Sequence, residues 1–175
     1  MIDKPVSTVK AAMIVLLCTV FLLSACSGKA DNVSSIDFGA RPSLQTVVKK
    51  YDSMLSEMKS ELSKNFAGIG WSEFQQGASI NVDVPGAPGQ AVNYSSAAWV
   101  AELALRGDDR TKALKVLEEV GARFGFAAPQ IVKDADDHLE VIGTDQLGAH
   151  YEFSSGAKTT LSYVTGIHLA EEVGS

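Results

Sequence analysis

Apolar residues recur at spacings of three and four along the stretch that follows Pro42, which is the pattern of one helix face. The opposite face is rich in lysine, aspartate and glutamate, as on a solvated helix surface. Ser43 is a candidate N-cap, and Gly68 is positioned to end the helix. The pattern predicts an amphipathic helix with a buried face of Leu44, Val47, Val48, Tyr51, Met54, Leu55, Met58, Leu62 and Phe66.

A second amphipathic helix is predicted further along the chain. Asp108 or Asp109 is placed to cap its start, and Gly125 is placed to end it. Its apolar residues share one face at helical spacing. They are Ala113, Leu114, Leu117, Val120 and Phe124.

Between the two helices the pattern changes to alternation. Alternating apolar and polar residues at 80–84 predict a strand, and the sequence PGAPGQ at 85–90 predicts a loop. Residues 94–105 allow two interpretations. Their alanine content favours a helix, whereas the alternation from Trp99 to Leu103 favours a strand. We favour the strand.

The last part of the chain consists of short extended segments at 130–133, 138–143, 149–153 and 159–169, with turns at 145–148 and 154–158. Alternation within them predicts a buried face of Ala149, Tyr151, Phe153, Leu161, Tyr163 and Ile167. Two amphipathic helices would cover that face. We therefore predict an α+β fold, a two-layer sandwich with two amphipathic helices packed on one face of an antiparallel sheet that ends in a C-terminal β-meander.

The first 25 residues have the profile of a signal peptide. Two lysines precede the uncharged stretch Ala11–Leu23, which is shorter than the roughly 20 apolar residues that span a bilayer. The sequence Leu23-Ser24-Ala25-Cys26 matches the lipobox of bacterial lipoproteins. It predicts cleavage between Ala25 and Cys26 and a diacylglyceryl group on the Cys26 sulfur. The alternative is an ordinary secretory signal that leaves a free thiol at Cys26.

Two acyl chains on one cysteine are enough for stable attachment to a membrane. The lipobox therefore predicts a cell-membrane protein that is lipid-anchored through Cys26 on the extracytoplasmic face. Cleavage would leave 150 residues, enough for one domain. We place the lipidated cysteine and a tether at 26–42, the domain at 43–170 and a C-terminal tail at 171–175.

Charge and cysteine content limit the function of the mature chain. Cys26 is its only cysteine, so no intramolecular disulfide is expected. The mature chain has 13 basic and 20 acidic residues, a net charge of −7 (13 − 20). This acidity disfavours binding to nucleic acid, which we exclude as a partner.

The order of a helix, strands and a helix that ends in Phe124-Gly125-Phe126, followed by DHLEVIGTDQLGAHYEFSSGAKTTLSYVTGIHL at 137–169, resembles the LppA-like group of small actinobacterial envelope lipoproteins. The resemblance covers about residues 71–169 and includes no catalytic motif. It implies a fold and an envelope location but no reaction. Related sequences often carry Cys where this chain has Ile167, so a disulfide is not expected there.

The three histidines, His138, His150 and His168, are expected to lie apart as single surface residues. The predicted hairpin would pair His150 with Ile142 and place His138 about 13 Å away, so no three-histidine metal site is expected. The acidic run at 133–138 lacks the glycine and the third oxygen ligand of an EF-hand loop. We expect no metal and no cofactor.

Two Ser-x-x-Lys sequences in the mature chain, Ser56/Lys59 and Ser155/Lys158, invite comparison with serine acyl-transferases of the penicillin-binding kind. The companion motifs Ser-Asp-Asn and Lys-Thr-Gly do not occur in the chain. We therefore expect a protein that is not an enzyme, and an envelope hydrolase is the less favoured alternative.

Aromatic residues cluster in the weakly patterned middle of the chain, at Trp71, Phe74, Tyr94 and Trp99. Two interpretations remain open: ordinary core packing, or a groove for a lipid, a glycan or a partner segment. The sequence predicts a non-catalytic binding or assembly domain in the cell envelope, with an envelope protein as its partner. The alternative is a carrier or sensor that holds a small apolar ligand in the aromatic groove.

Overall fold

The computed structural model of the protein describes residues 36–170. They form two helices, α1 (Leu44–Asn65) and α2 (Asp108–Arg123). They also form nine strands: β1 (Trp71–Gln75), β2 (Ala78–Val82), β3 (Ala91–Ser95), β4 (Ala98–Ala101), β5 (Gln130–Ala135), β6 (His138–Thr144), β7 (His150–Ser155), β8 (Thr159–Val164) and β9 (His168–Leu169).

Helix α1 follows the predicted pattern. The Ser43 side chain accepts a hydrogen bond from the Thr46 backbone N–H, which confirms the predicted N-cap. The helix ends before Gly68, whose φ of 86° places it in the left-handed region that favours glycine. Its buried face is Val47, Tyr51, Met54, Leu55, Met58 and Leu62.

Helix α2 differs from the prediction at its start. Neither Asp108 nor Asp109 is the N-cap, because Gly107 takes that position with a φ of 49° and no side chain caps the helix. The two aspartates lie in the first turn, where a negative charge complements the helix dipole. The buried residues are Ala113, Val116, Leu117, Val120 and Gly121, whereas Leu114 and Phe124 are only partly buried.

The sheet is antiparallel, with the strand order β1-β4-β8-β7-β6-β5. Strand β3 pairs with β2 on one side and with β8 and β9 on the other. A break at Ser96 separates β3 from β4, and its backbone N–H donates to the Tyr163 carbonyl across the sheet. The strand interpretation of residues 94–105 is therefore confirmed as far as Ala101.

The predicted last strand, 159–169, is interrupted. Residues 165–167 leave the ladder, and β9 then pairs with β3 rather than extending the meander. The side chain of Thr165 explains part of the interruption, because its hydroxyl accepts a hydrogen bond from the Tyr94 backbone N–H. Ile167, which was predicted to be buried, is half-exposed as a result.

The core lies between the two helices and one face of the sheet. Five of the six residues predicted to form that face are buried: Ala149, Tyr151, Phe153, Leu161 and Tyr163. The Tyr51 ring meets both Phe126 and Tyr163 edge-on, with centroids 5.1 and 5.6 Å apart. The predicted α+β fold, with helices on one face of an antiparallel sheet and a C-terminal strand series, is confirmed.

Candidate functional site

Two of the predicted groove residues fasten α1 to the sheet. The Trp71 indole N–H donates to the Lys59 carbonyl oxygen at 3.2 Å. The Lys59 ammonium lies 2.9 Å from the centre of the Trp99 ring, a cation–π contact. Burial lowers the pKa of Lys59. Trp71 and Trp99 are both half-buried against the core.

The other two predicted groove residues lie in different surroundings. Tyr94 packs 6.2 Å from the Tyr163 ring, and burial raises the pKa of its hydroxyl. Phe74 is 76% exposed and lies at an irregularity of β1, where the register shifts between Glu73 and Gln75. The structure therefore places three of the four aromatic residues against the core and leaves Phe74 in solvent.

Strand β2 is a free edge of the sheet, since among residues 36–170 it pairs only with β3. Its sequence, Ala-Ser-Ile-Asn-Val, has no charge and no proline, and its register with β3 is regular. Ile80 is 53% exposed on this strand. Charges, prolines and bulges are the usual protection of edge strands, so this edge is chemically open to another strand.

The opposite edge, strand β5, has that protection. Ile131 and Val132 are 51% and 56% exposed. However, the register shifts between Ile131 and Lys133, and Lys133 and Asp134 place two charges on the strand. A shifted register and charges hinder the addition of a further strand. Strand β1, at the other end of the strand order, is also an edge strand, and it has a register shift and the charged Glu73. Of the edge strands β1, β2 and β5, only β2 lacks both a register shift and a charge.

His138 and His150 lie on the uncovered face of the sheet. Their imidazoles approach Glu140 at 3.9 Å and Glu152 at 3.3 Å. The predicted pairing of His150 with Ile142 is wrong, because His150 pairs with Thr144. The predicted register of β6 and β7 was shifted by two residues. The observed register increases the separation of the two histidines along the strands.

His168 is not a surface residue, which corrects the prediction. Its side chain is fully buried, and Nδ1 lies 3.0 Å from the Pro42 carbonyl oxygen. Its Nε2 has no hydrogen-bond partner in the described part of the chain. Burial lowers the pKa of His168, and the nearby Arg41 acts in the same direction, against the bond to Pro42 and the charge of Asp145.

Arg41 is a functional candidate that the sequence pattern missed. Its Nη1 donates to the carbonyl oxygens of Leu147 at 2.9 Å and Ile167 at 2.8 Å. Residues 36–42, predicted as the end of the tether, therefore lie against the domain. A charged side chain that binds backbone carbonyls leaves no sequence motif, so only the tertiary structure shows it.

Both residues of the second Ser-x-x-Lys sequence have structural partners. The buried Ser155 hydroxyl accepts from the Leu105 backbone N–H at 2.8 Å, and Lys158 pairs with Glu102 at 2.6 Å. Within residues 36–170, no group of three histidine, cysteine, aspartate or glutamate side chains is placed to hold a metal ion.

The predicted lipidation residue Cys26, the cleavage site after Ala25 and the tail at 171–175 lie outside the described residues. Among the helices of residues 36–170, none has the length and apolar character needed to cross a bilayer.

The sequence and the fold can be compared with known proteins. The LppA family, described as "Lipoprotein confined to pathogenic Mycobacterium", matches residues 35–171 of this chain. The chain belongs to the LppA family. LppA membership confirms the resemblance seen in the sequence and supports a membrane-associated lipoprotein of uncertain role. No curated protein matches the chain.

Two solved structures share the LppA fold. A DUF4853 family protein from Actinomyces odontolyticus is 14% identical, with a TM-score of 0.61, over 78% of this chain and 75% of that chain. The putative lipoprotein LppA from Mycobacterium tuberculosis is 13% identical, with a TM-score of 0.57, over 73% of this chain and 79% of that chain. At these identities the likeness concerns the fold alone.

Proposed function

We propose that the protein is anchored through Cys26 on the extracytoplasmic face of the cell membrane and that its domain binds an envelope protein without catalysing a reaction. The lipobox at 23–26 and membership in a lipoprotein family support the anchor. The open edge of β2 supports the binding role. The partner contributes an extended segment that adds to β2 as a further strand.

The unpaired and uncharged edge of β2 is the main support for this proposal. A strand edge presents a row of backbone N–H and C=O groups that a second strand can pair. Five residues without charge, proline or bulge leave those groups accessible, and the exposed Ile80 adds an apolar contact. Glu73 and Asp83 are exposed carboxylates flanking the edge, so the partner segment is apolar with basic residues around it.

Site-specific photocrosslinking in intact cells tests the binding edge. A photoreactive residue at position 79 or 81 is expected to give an adduct with a membrane-associated protein. Because neighbouring strands run side by side, positions two residues apart on β2 should crosslink to positions two residues apart on the partner. Peptide mapping by mass spectrometry measures that spacing.

The matched controls compare substitutions on β2 with substitutions on β5. Ile80→Lys places a charge on β2 and is expected to abolish the adduct from position 81, whereas Ile131→Lys changes an equally exposed residue on β5 and should leave it intact. Cys26→Ser should remove the protein from the membrane and with it the adduct. Equal adducts from position 132 on β5, or crosslinks scattered along the partner, would contradict strand addition at β2.

A further inference from the structure

Residues 36–42 are fixed to one end of the sheet, here called the proximal end, which consists of the β6–β7 turn (145–148) and the β8–β9 link (165–167). One guanidinium nitrogen of Arg41 joins the two segments through the Leu147 and Ile167 carbonyls. The Pro42 carbonyl oxygen is bound to the buried His168. The chain therefore enters the domain at a defined place.

The backbones of the two segments are in close contact at this attachment. A β-carbon at Gly166 would collide with the Leu147 carbonyl and would lie 3.2 Å from Arg41 Nη1. The absence of a side chain at this position lets the turn and the link touch beneath the guanidinium. The point of entry is therefore in direct contact with the sheet.

The chain length between Cys26 and Ile36 limits how far the proximal end can lie from the anchor. Ten residues span at most about 35 Å, whatever their conformation. Strand β6 has 7 residues and leads from Thr144 at the proximal end to His138, about 20 Å away. The opposite end, here called the distal end, consists of the turns at 136–137 and 156–158.

The chemistry of the two ends also differs. Charge does not separate the two ends, because the distal end carries Arg106 and Lys158 beside the exposed Asp136 and Asp137, and the proximal end carries Asp145 beside Arg41. The proximal end includes Arg41 and four half-buried apolar residues: Ile36, Phe38, Leu147 and Ile167. These partly exposed apolar side chains make contact with the headgroup region less costly for the proximal end.

We propose that the proximal end of the domain faces the phospholipid headgroups and that the distal end points away from the membrane. This orientation rests on the proposed anchoring through Cys26. Strand β3 pairs with β9 beyond the Arg41 attachment, so β2, its neighbour, lies on the proximal side of the sheet. The binding edge is then presented close to the lipid, within reach of partner segments that emerge from the membrane.

Energy transfer from a dye on the protein to a headgroup-labelled lipid tests the orientation. The protein purified from its native membrane is reconstituted in vesicles of phosphatidylcholine and phosphatidylglycerol at a ratio of about 7:3. Gln146→Cys places the dye at the proximal end, and Asp137→Cys places it at the distal end. Both positions are exposed. The mature chain has no other free thiol once Cys26 is acylated.

Stronger transfer from position 146 is expected, corresponding to a distance about 20 Å shorter than from position 137. Equal transfer, or stronger transfer from position 137, would overturn the orientation alone. Absence of transfer from both positions would show that the anchor is missing, which contradicts the proposed anchoring and the orientation together.

A matched pair of arginine variants tests the role of the attachment. Arg41→Ala frees residues 36–42 and is expected to reduce the difference between the two dyes. Arg106→Ala is the control, because Arg106 also bridges two carbonyls, those of Asp136 and Gly156, but at the distal end. A reduction of the same size in both variants would overturn the assignment to Arg41, and the comparison of dyes in the unaltered protein does not depend on either variant.

Discussion

At the scale of single residues, the buried polar groups show how tertiary contacts change chemistry. Asp145 accepts hydrogen bonds from the Tyr51 hydroxyl and from the backbone N–H groups of Leu147 and Ala149. Burial, followed by the bond to Asp145, raises the pKa of Tyr51. This one carboxylate holds the β6–β7 turn to α1, and such charge-assisted bonds are worth about 1.5–3 kcal/mol each.

His168 makes the stability of the domain depend on pH. Its pKa is lowered in the folded state, so the unfolded chain takes up its proton first as the pH falls below about 6.5. Stability present above that pH is lost on acidification, with a slope of at most about 1.4 kcal/mol per pH unit. Urea unfolding at pH 7 and pH 5 measures the loss.

His168→Gln is expected to flatten the pH dependence of stability. The control substitution His150→Gln changes a half-exposed residue and should leave that dependence unchanged. The same slope in the wild-type chain and in His168→Gln would contradict the assignment.

At the scale of elements, the packing of α1 on the sheet depends on two tryptophans that the sequence could not distinguish from Phe74. Trp99→Ala removes half-buried surface and the contact with Lys59, so we expect a loss of about 2 kcal/mol in the free energy of unfolding. Phe74→Ala changes a residue that is 76% exposed and should cost less than about 0.5 kcal/mol. Chemical denaturation of both variants compares them, and equal losses would contradict the distinction.

At the scale of the whole molecule, the domain begins before α1. A chain that starts at Ser43 lacks Arg41 and the Pro42 carbonyl, and we expect it to be about 2–4 kcal/mol less stable than a chain that starts at Ile36. Thermal unfolding of the two chains measures the difference. Arg41→Ala in the longer chain should show most of the loss, and equal melting temperatures for both lengths would contradict this boundary.

Helix α1, the strand series and the buried face of the meander could be predicted because each has a local periodicity. Ser43, Tyr151 and Phe153 occupy the predicted positions. The candidate site was predicted less well. Arg41 and the free edge of β2 depend on contacts between distant parts of the chain, which leave no periodic pattern.

The sequence by itself determined the lipobox, the net acidity, the two helices and the alternation of the sheet, because composition and local spacing encode them directly. Tertiary structure alone decided the register of β6 and β7, the burial of His168 and which edge of the sheet is open. These features depend on which segments meet across the fold. The same pattern of apolar and polar residues is compatible with several pairings of these segments. Side-chain packing and hydrogen bonding select one of them.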